Sequence, residues 1–136
     1  MIPAAKTTVR STIAVSVFMV ALTGCGVHIR TQLLDRALHR PAVCPDAVTV
    51  FHDSSNVSKT HIVVARLVPP PGGAEYRPTP EDVVEAQRKK AAVLGANGLL
   101  VQQGVRHGGG LYDDALAIFI PEDSALAFRV CNQAAH

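Results

Sequence analysis

The sequence predicts an α+β domain in which one amphipathic helix covers one face of a mostly antiparallel sheet of about five strands. Three observations lead there. Short apolar runs separated by turn residues recur along the chain, a single stretch with helical periodicity stands among them, and the apolar residues are largely aliphatic. With only four Phe, two Tyr and no Trp, the core must be built mainly from Val, Ile, Leu and Ala, and the β-branched members of that set suit strands. A length of 136 residues suits one domain.

The elements follow in order. "AVTVFHD" at 47–53 is β-branched and aromatic; "SSNVSK" supplies turn residues, and "THIVVARLV" at 60–68 is a second apolar run. Two such runs around a polar gap predict a strand pair. "PPPGGAEYRP" at 69–78 reads as a surface loop, because proline lacks the donor that helix and sheet interiors need.

Thr79-Pro80-Glu81-Asp82 predicts a helix start, with Thr79 as N-cap, Pro80 in the first helical position and acids facing the dipole. The same helix start accounts for Glu81, Asp82 and Glu85. Val84, Gln87, Ala91 and Leu94 share one side, flanked by Val83 and Ala92, while Glu85, Arg88 and Lys89 point elsewhere. Gly95 or Gly98 can stop the helix in the left-handed conformation. "GLLVQQGV" (98–105), "ALAIFI" (115–120) and "SALAFRV" (124–130) predict three more strands, joined by a long connection at "RHGGGLYDD" and a short one at Pro121-Glu122-Asp123. The expected order is therefore strand, strand, helix, strand, strand, strand.

Ahead of this domain the chain has a different character. Lys6 and Arg10 precede an uncharged apolar stretch from Thr12 to Leu22, which is the layout of a secretion signal and is shorter than the roughly 20 residues a membrane span needs. Removing residues 1–24 leaves eleven Lys and Arg against eleven Asp and Glu. A body with no net charge argues against nucleic acid as a partner, since a binder needs a basic face to displace counterions.

Leu22-Thr23-Gly24-Cys25 resembles the bacterial lipobox, in which a Leu lies three places before a cysteine and small residues stand between. That resemblance implies a diacylglycerol thioether on Cys25, cleavage before it, and acylation of the freed amine by a fatty acid such as palmitate. Three acyl chains would anchor the protein far more firmly than one, at about 0.8 kcal/mol per buried methylene. With Gly26 rather than Asp following Cys25, the family's sorting pattern implies the outer membrane, facing the periplasm, in a host with two membranes. The expected organisation is then signal peptide 1–24, tether 25–44 with a short helix at Thr31–Leu38, domain 45–131 and tail 132–136. Nineteen residues separate Cys25 from Cys44, a reach of at most about 60 Å, so the domain is expected to stand off the bilayer.

"PDAVTVFHD", "HIVVARL", "AQRKKAAVLGANGLLVQ" and "ALAFRV" resemble small bacterial envelope domains of the heavy-metal-binding-domain-like families, and the outer-membrane sensor lipoprotein of the Rcs envelope-stress phosphorelay. Ala91-Ala92 and Leu94 to Gly98 carry most of the likeness, over roughly residues 45 to 131. It implies a fold and an interaction or stress-sensing role, with no catalytic motif to transfer. The sensor lipoprotein has four cysteines in its folded domain where this chain has two, a departure that bears on any shared sensing role.

Cys44 precedes the first expected strand and Cys131 ends the last. In an exported protein the pair is expected to be oxidised, and antiparallel neighbouring strands would bring the two within disulfide range. Closing the 87-residue loop would stabilise the fold by about 4.6 kcal/mol on chain-entropy grounds.

The remaining chemistry is sparse. His52, Asp53 and His61 flank one turn, and His107, Asp113 and Asp114 another, yet neither set has an established ligand spacing. A periplasmic metal-binding lipoprotein using these histidines is the alternative function; no metal site or cofactor is assigned. "HGGGLYDD" opens a connection between strands rather than a helix N-terminus, so no phosphate cradle is expected. Ser54, Ser55 and Ser58 lie in one polar turn without a nucleophile-elbow pattern, and a hydrolase is the least favoured reading. The expectation is a non-catalytic module, not an enzyme, bound to the membrane through Cys25 and working with a protein partner of the envelope.

Overall fold

The computed structural model describes residues 26–35, 40–57, 60–72, 77–107 and 109–134. The expected signal segment and Cys25 lie outside them. Among the described residues five strands form one sheet: β1 (Arg30–Leu33), β2 (Thr49–Phe51), β3 (Ile62–Val68), β4 (Gly98–Val101) and β5 (Ala115–Phe119). Two α-helices accompany it among the described residues, α1 (Pro80–Val93) and α2 (Ser124–Ala134). The strand order is β1-β3-β5-β4-β2, with every neighbouring pair antiparallel except β2 and β4. The α+β class and the mostly antiparallel sheet match expectation.

Helix α1 begins and ends where its caps dictate. Thr79 Oγ1 accepts from the Asp82 backbone N–H at 3.1 Å and the Asp82 carboxylate accepts from the Thr79 N–H at 3.3 Å, a reciprocal box that satisfies two otherwise orphaned donors. At the other end Gly95 takes φ +76°. There the N–H of Gly95 donates to Ala92 O and that of Ala96 to Ala91 O, the bonding of a Schellman stop. Because β3 and β4 both run antiparallel to β5, they are parallel to one another. The helix therefore joins two parallel strands with a third between them, a split β-α-β arrangement.

The main core lies between α1 and the sheet. Ala91, Ala92 and Ala96 meet Ala65, Leu67, Leu99, Ala115 and Ala117, all essentially without solvent exposure. The small side chains let helix and sheet approach closely, so packing here relies on fit rather than on large residues. Alternate positions point to the opposite face, where Phe51, Val63, Leu100 and Leu116 pack half-buried against Ile118 and Ile120.

Several expectations are corrected. The 47–53 and 60–68 runs do not form a strand pair: β2 pairs in parallel with β4, at the far edge of the sheet from β3. The stretch 124–130 is not a strand but most of α2, so the sheet carries two helices in its vicinity rather than one, and positions 132–134 of the expected tail are helical. Its Ala and Leu residues are strong helix formers, while Pro121 with Glu122 and Asp123, read as a hairpin turn, instead supplies a helix-start signal. Those three residues form a 3-10 turn that runs into α2, with the Ser124 hydroxyl donating to Pro121 O.

The last correction concerns the expected tether. The helix predicted over 31–38 is replaced at its start by β1, which pairs with β3 in the register Arg30 to Val68 through Leu33 to Ala65. Leu33 and Leu34 are both exposed, so neither buries an apolar side chain as a packed helix there would require. Ile29 is buried in the main core and Val27 packs against it. Packing on the core is therefore already under way at Val27 and Ile29, well ahead of the expected domain start at residue 45.

Candidate functional site

The two cysteines meet as expected, though on other elements. Cys44 caps a 3-10 turn at Pro45–Ala47 and Cys131 lies on α2; they form a disulfide with 5.4 Å between Cα atoms. The Cys44 backbone N–H also donates to Cys131 Sγ. Helix α2 rests mainly on that 3-10 turn and on the turn that precedes it. Of its apolar side chains Ala127 is buried, while Leu126 and Phe128 are 53% and 67% exposed.

The histidine and aspartate turns resolve differently. His52 and Asp53 stand exposed at the end of β2, and Asp53 Oδ1 accepts from the Ser55 N–H at 2.9 Å. That backbone donor, followed by the Ser55 hydroxyl, holds the Asp53 carboxyl below its ordinary range. Ser54 and Ser55 form a 3-10 turn with Asn56, and Ser58 lies outside the described residues. His61 precedes β3.

The second set does converge. Asp114 is fully buried; one carboxylate oxygen accepts from the His107 backbone N–H at 3.3 Å, and the other is hydrogen-bonded to the His107 ring Nδ1. Asp113 accepts from Gly104 N–H and from the Arg106 guanidinium. Both acids thus stitch the connection between β4 and β5 to itself. Among the described residues no three His, Cys, Asp or Glu side chains are grouped to hold a metal ion.

Two buried polar side chains hold the neighbourhood of this connection. Gln87 on α1 donates from Nε2 to Leu67 O and to Asp113 O, both at 3.2 Å. The Tyr112 hydroxyl donates to Pro78 O at 2.6 Å. Gln87 was legible as an inward position of α1 and Asp114 as a neighbour of His107, whereas nothing in the local pattern set Tyr112 apart from loop residues.

The third region lies where the chain enters the domain. Residues 26–29 run beside α1, and the groove between them is bordered by Lys89, Lys90 and Val93 toward the helix C-terminus and by Asp82 and Glu85 toward its start. The acids are engaged locally, Asp82 in the capping box and Glu85 with Arg88 at 2.9 Å. This pairing, chiefly the Glu85 hydrogen bond, raises the Arg88 pKa. Lys89 and Lys90 are exposed, and neither makes an ion pair among the described residues. Across the entering segment, His28 and Arg30 border a shallow apolar recess at Val68 and Pro69 to Pro71.

No family model, curated protein or solved structure matches the chain. Among the described residues no helix is long and apolar enough to cross a membrane.

Proposed function

We propose that the protein is a lipid-anchored component of the bacterial envelope, held by acyl chains on Cys25 and acting by binding rather than by turnover, as an interaction or stress-sensing module. The observation that carries this reading is Leu22-Thr23-Gly24-Cys25 at the end of an apolar stretch preceded by Lys6 and Arg10. The Cys44–Cys131 disulfide supports it, since such bonds persist in oxidising compartments outside the cytosol. The outer membrane, facing the periplasm, is the destination that Gly26 favours.

The test is mass spectrometry of the full chain made in a bacterial host and recovered from membranes. The expected species starts at Cys25 and carries acyl additions, and Cys25→Ser abolishes both the cleavage and the membrane fractionation. An intact Met1 in the native protein rejects the assignment.

A further inference from the structure

Residues 27–33 of the expected tether pack on the core or pair in the sheet, and this limits how far the domain can stand from an anchor at Cys25. Val27 and Ile29 pack on the core and Arg30 opens β1. The covalent path from Cys25 to Val27 spans two residues, at most about 7 Å, and to Ile29 about 14 Å. An acylated Cys25 sits at the boundary between acyl chains and headgroups, and one headgroup layer is itself about 5 to 7 Å thick. The first core residues therefore lie at the outer margin of that layer. With Cys25 acylated, whatever surface surrounds residues 26–30 would be held close to lipid.

That surface is cationic where it is free. Lys89 and Lys90, exposed and outside any ion pair among the described residues, border the groove that holds residues 26–29. Arg30 is exposed on the other flank. The two acids of the groove are held by Thr79 and Arg88. Val93, 66% exposed, adds an apolar contact one turn beyond Lys89. A Lys side chain reaching toward headgroups brings its ammonium within the roughly 8 Å over which surface charge acts at physiological salt.

Resting on the Cys25 anchor proposed above, we propose that the entering segment 26–30 and the C-terminal half of α1 lie against an anionic bilayer surface, with Lys89 and Lys90 in the headgroup layer. The domain is then a membrane-apposed body with one fixed face.

The test uses the acylated full-length product in vesicles of phosphatidylethanolamine with phosphatidylglycerol, at physiological salt. An amine reagent that cannot cross bilayers is applied, and modification of Lys89 and Lys90 is followed by peptide mass spectrometry. A surface potential of about −30 to −50 mV lowers the reactive free-amine fraction about three- to sevenfold. The same lysines are measured in phosphatidylcholine vesicles and in a variant with about fifteen Gly and Ser residues inserted between Gly26 and Val27, whose mean reach of about 20 Å exceeds two screening lengths.

Labelling about three- to sevenfold slower in the first sample than in the other two is the expected result. Equal rates in all three, from protein whose mass shows acyl chains on Cys25, overturn the apposition and leave the anchor standing. A mass without acyl chains overturns both.

Discussion

Asn97 and Ile120 grip one another across the end of the sheet: Asn97 Nδ2 donates to Ile120 O at 2.8 Å, and the Ile120 N–H donates to Asn97 Oδ1 at 2.7 Å. A side-chain amide thereby imitates one more rung of an antiparallel ladder just beyond β5, in a place where both residues are buried. Replacing Asn97 with Ala leaves a buried donor and acceptor without partners, at a cost of about 2 to 4 kcal/mol. Chemical denaturation should show this loss for Asn97→Ala. A change below about 0.5 kcal/mol would mean that the pair contributes little.

Gly95 ends α1 with φ +76°, and a Cβ there would lie 2.5 Å from Arg40 Cβ and 2.8 Å from Pro41 O. Gly104 has φ +78° but nothing within 4 Å of its missing Cβ. The two positions separate backbone strain from collision. Gly104→Ala should cost about 1 kcal/mol from the left-handed conformation alone. Gly95→Ala adds displacement of the 40–41 segment against the helix end, so its melting temperature should fall clearly further. Equal shifts for the two variants would show that the segment yields freely.

The same helix end shows what could be read in the chain and what could not. Thr79, Pro80 and Asp82 gave the start of α1, and the stop was narrowed to Gly95 or Gly98, because caps are local chemistry carried by adjacent residues. The disulfide was also legible, since two unmodified cysteines in an exported chain have few alternatives. Strand order was not, because β2 has only three residues and its partner β4 lies beyond an intervening helix. Alternating Ala, Leu, Ala and Phe at 125–128 satisfied a strand pattern over a window too short to separate the two periods. The error at 31–38 had another cause: an edge strand needs one paired side and little burial, so its sequence bears almost no periodic signal. Of the candidate site, the histidine and aspartate residues were visible, but their roles as loop stitches depend on Asp114 being buried, a property set by tertiary contacts.

Asp53 provides a pH-dependent test of one small motif. Its pKa is lowered chiefly by the Ser55 backbone N–H and then by the Ser55 hydroxyl. A depressed folded-state pKa contributes stability above the unfolded value, which is lost as pH falls through the folded one. Carboxyl carbon titration by NMR should place Asp53 below an unstructured Asp peptide. Ser55→Ala should recover part of the shift and Ser55→Pro most of it. An unshifted titration in the native chain would mean that the turn is not held by this bond in solution.

Asp114 should matter more than its loop position suggests. Its carboxylate is fully buried and takes both the backbone N–H and the ring nitrogen of His107. Asp114→Ala leaves the His107 N–H without its acceptor and opens the connection between β4 and β5, at a cost of about 2 to 3 kcal/mol. Asp114→Asn keeps one acceptor and should lose less. Limited proteolysis should cut the Ala variant between Gln102 and Asp113 faster than the native chain, and unchanged cleavage would show that the connection is held by other contacts, Gln87 and Tyr112 among them.

Reducing the Cys44–Cys131 bond should release α2 before it unfolds the sheet. The helix buries few of its own side chains and rests largely on short turns, whereas the strands share a core with α1 that needs no help from α2. Loop closure over 87 residues favours the folded state by about 4.6 kcal/mol in the chain-entropy account, and native bonds of this kind typically contribute about 2 to 4. Hydrogen exchange on the paired Cys44→Ser and Cys131→Ser variant should therefore lose protection first across Ser124–Ala134, with β3 and β5 protected until global unfolding. Simultaneous loss in α2 and in the central strands would instead make the helix an integral part of one cooperative unit, and Leu126 and Phe128 would then be exposed on a rigid rather than a detachable element.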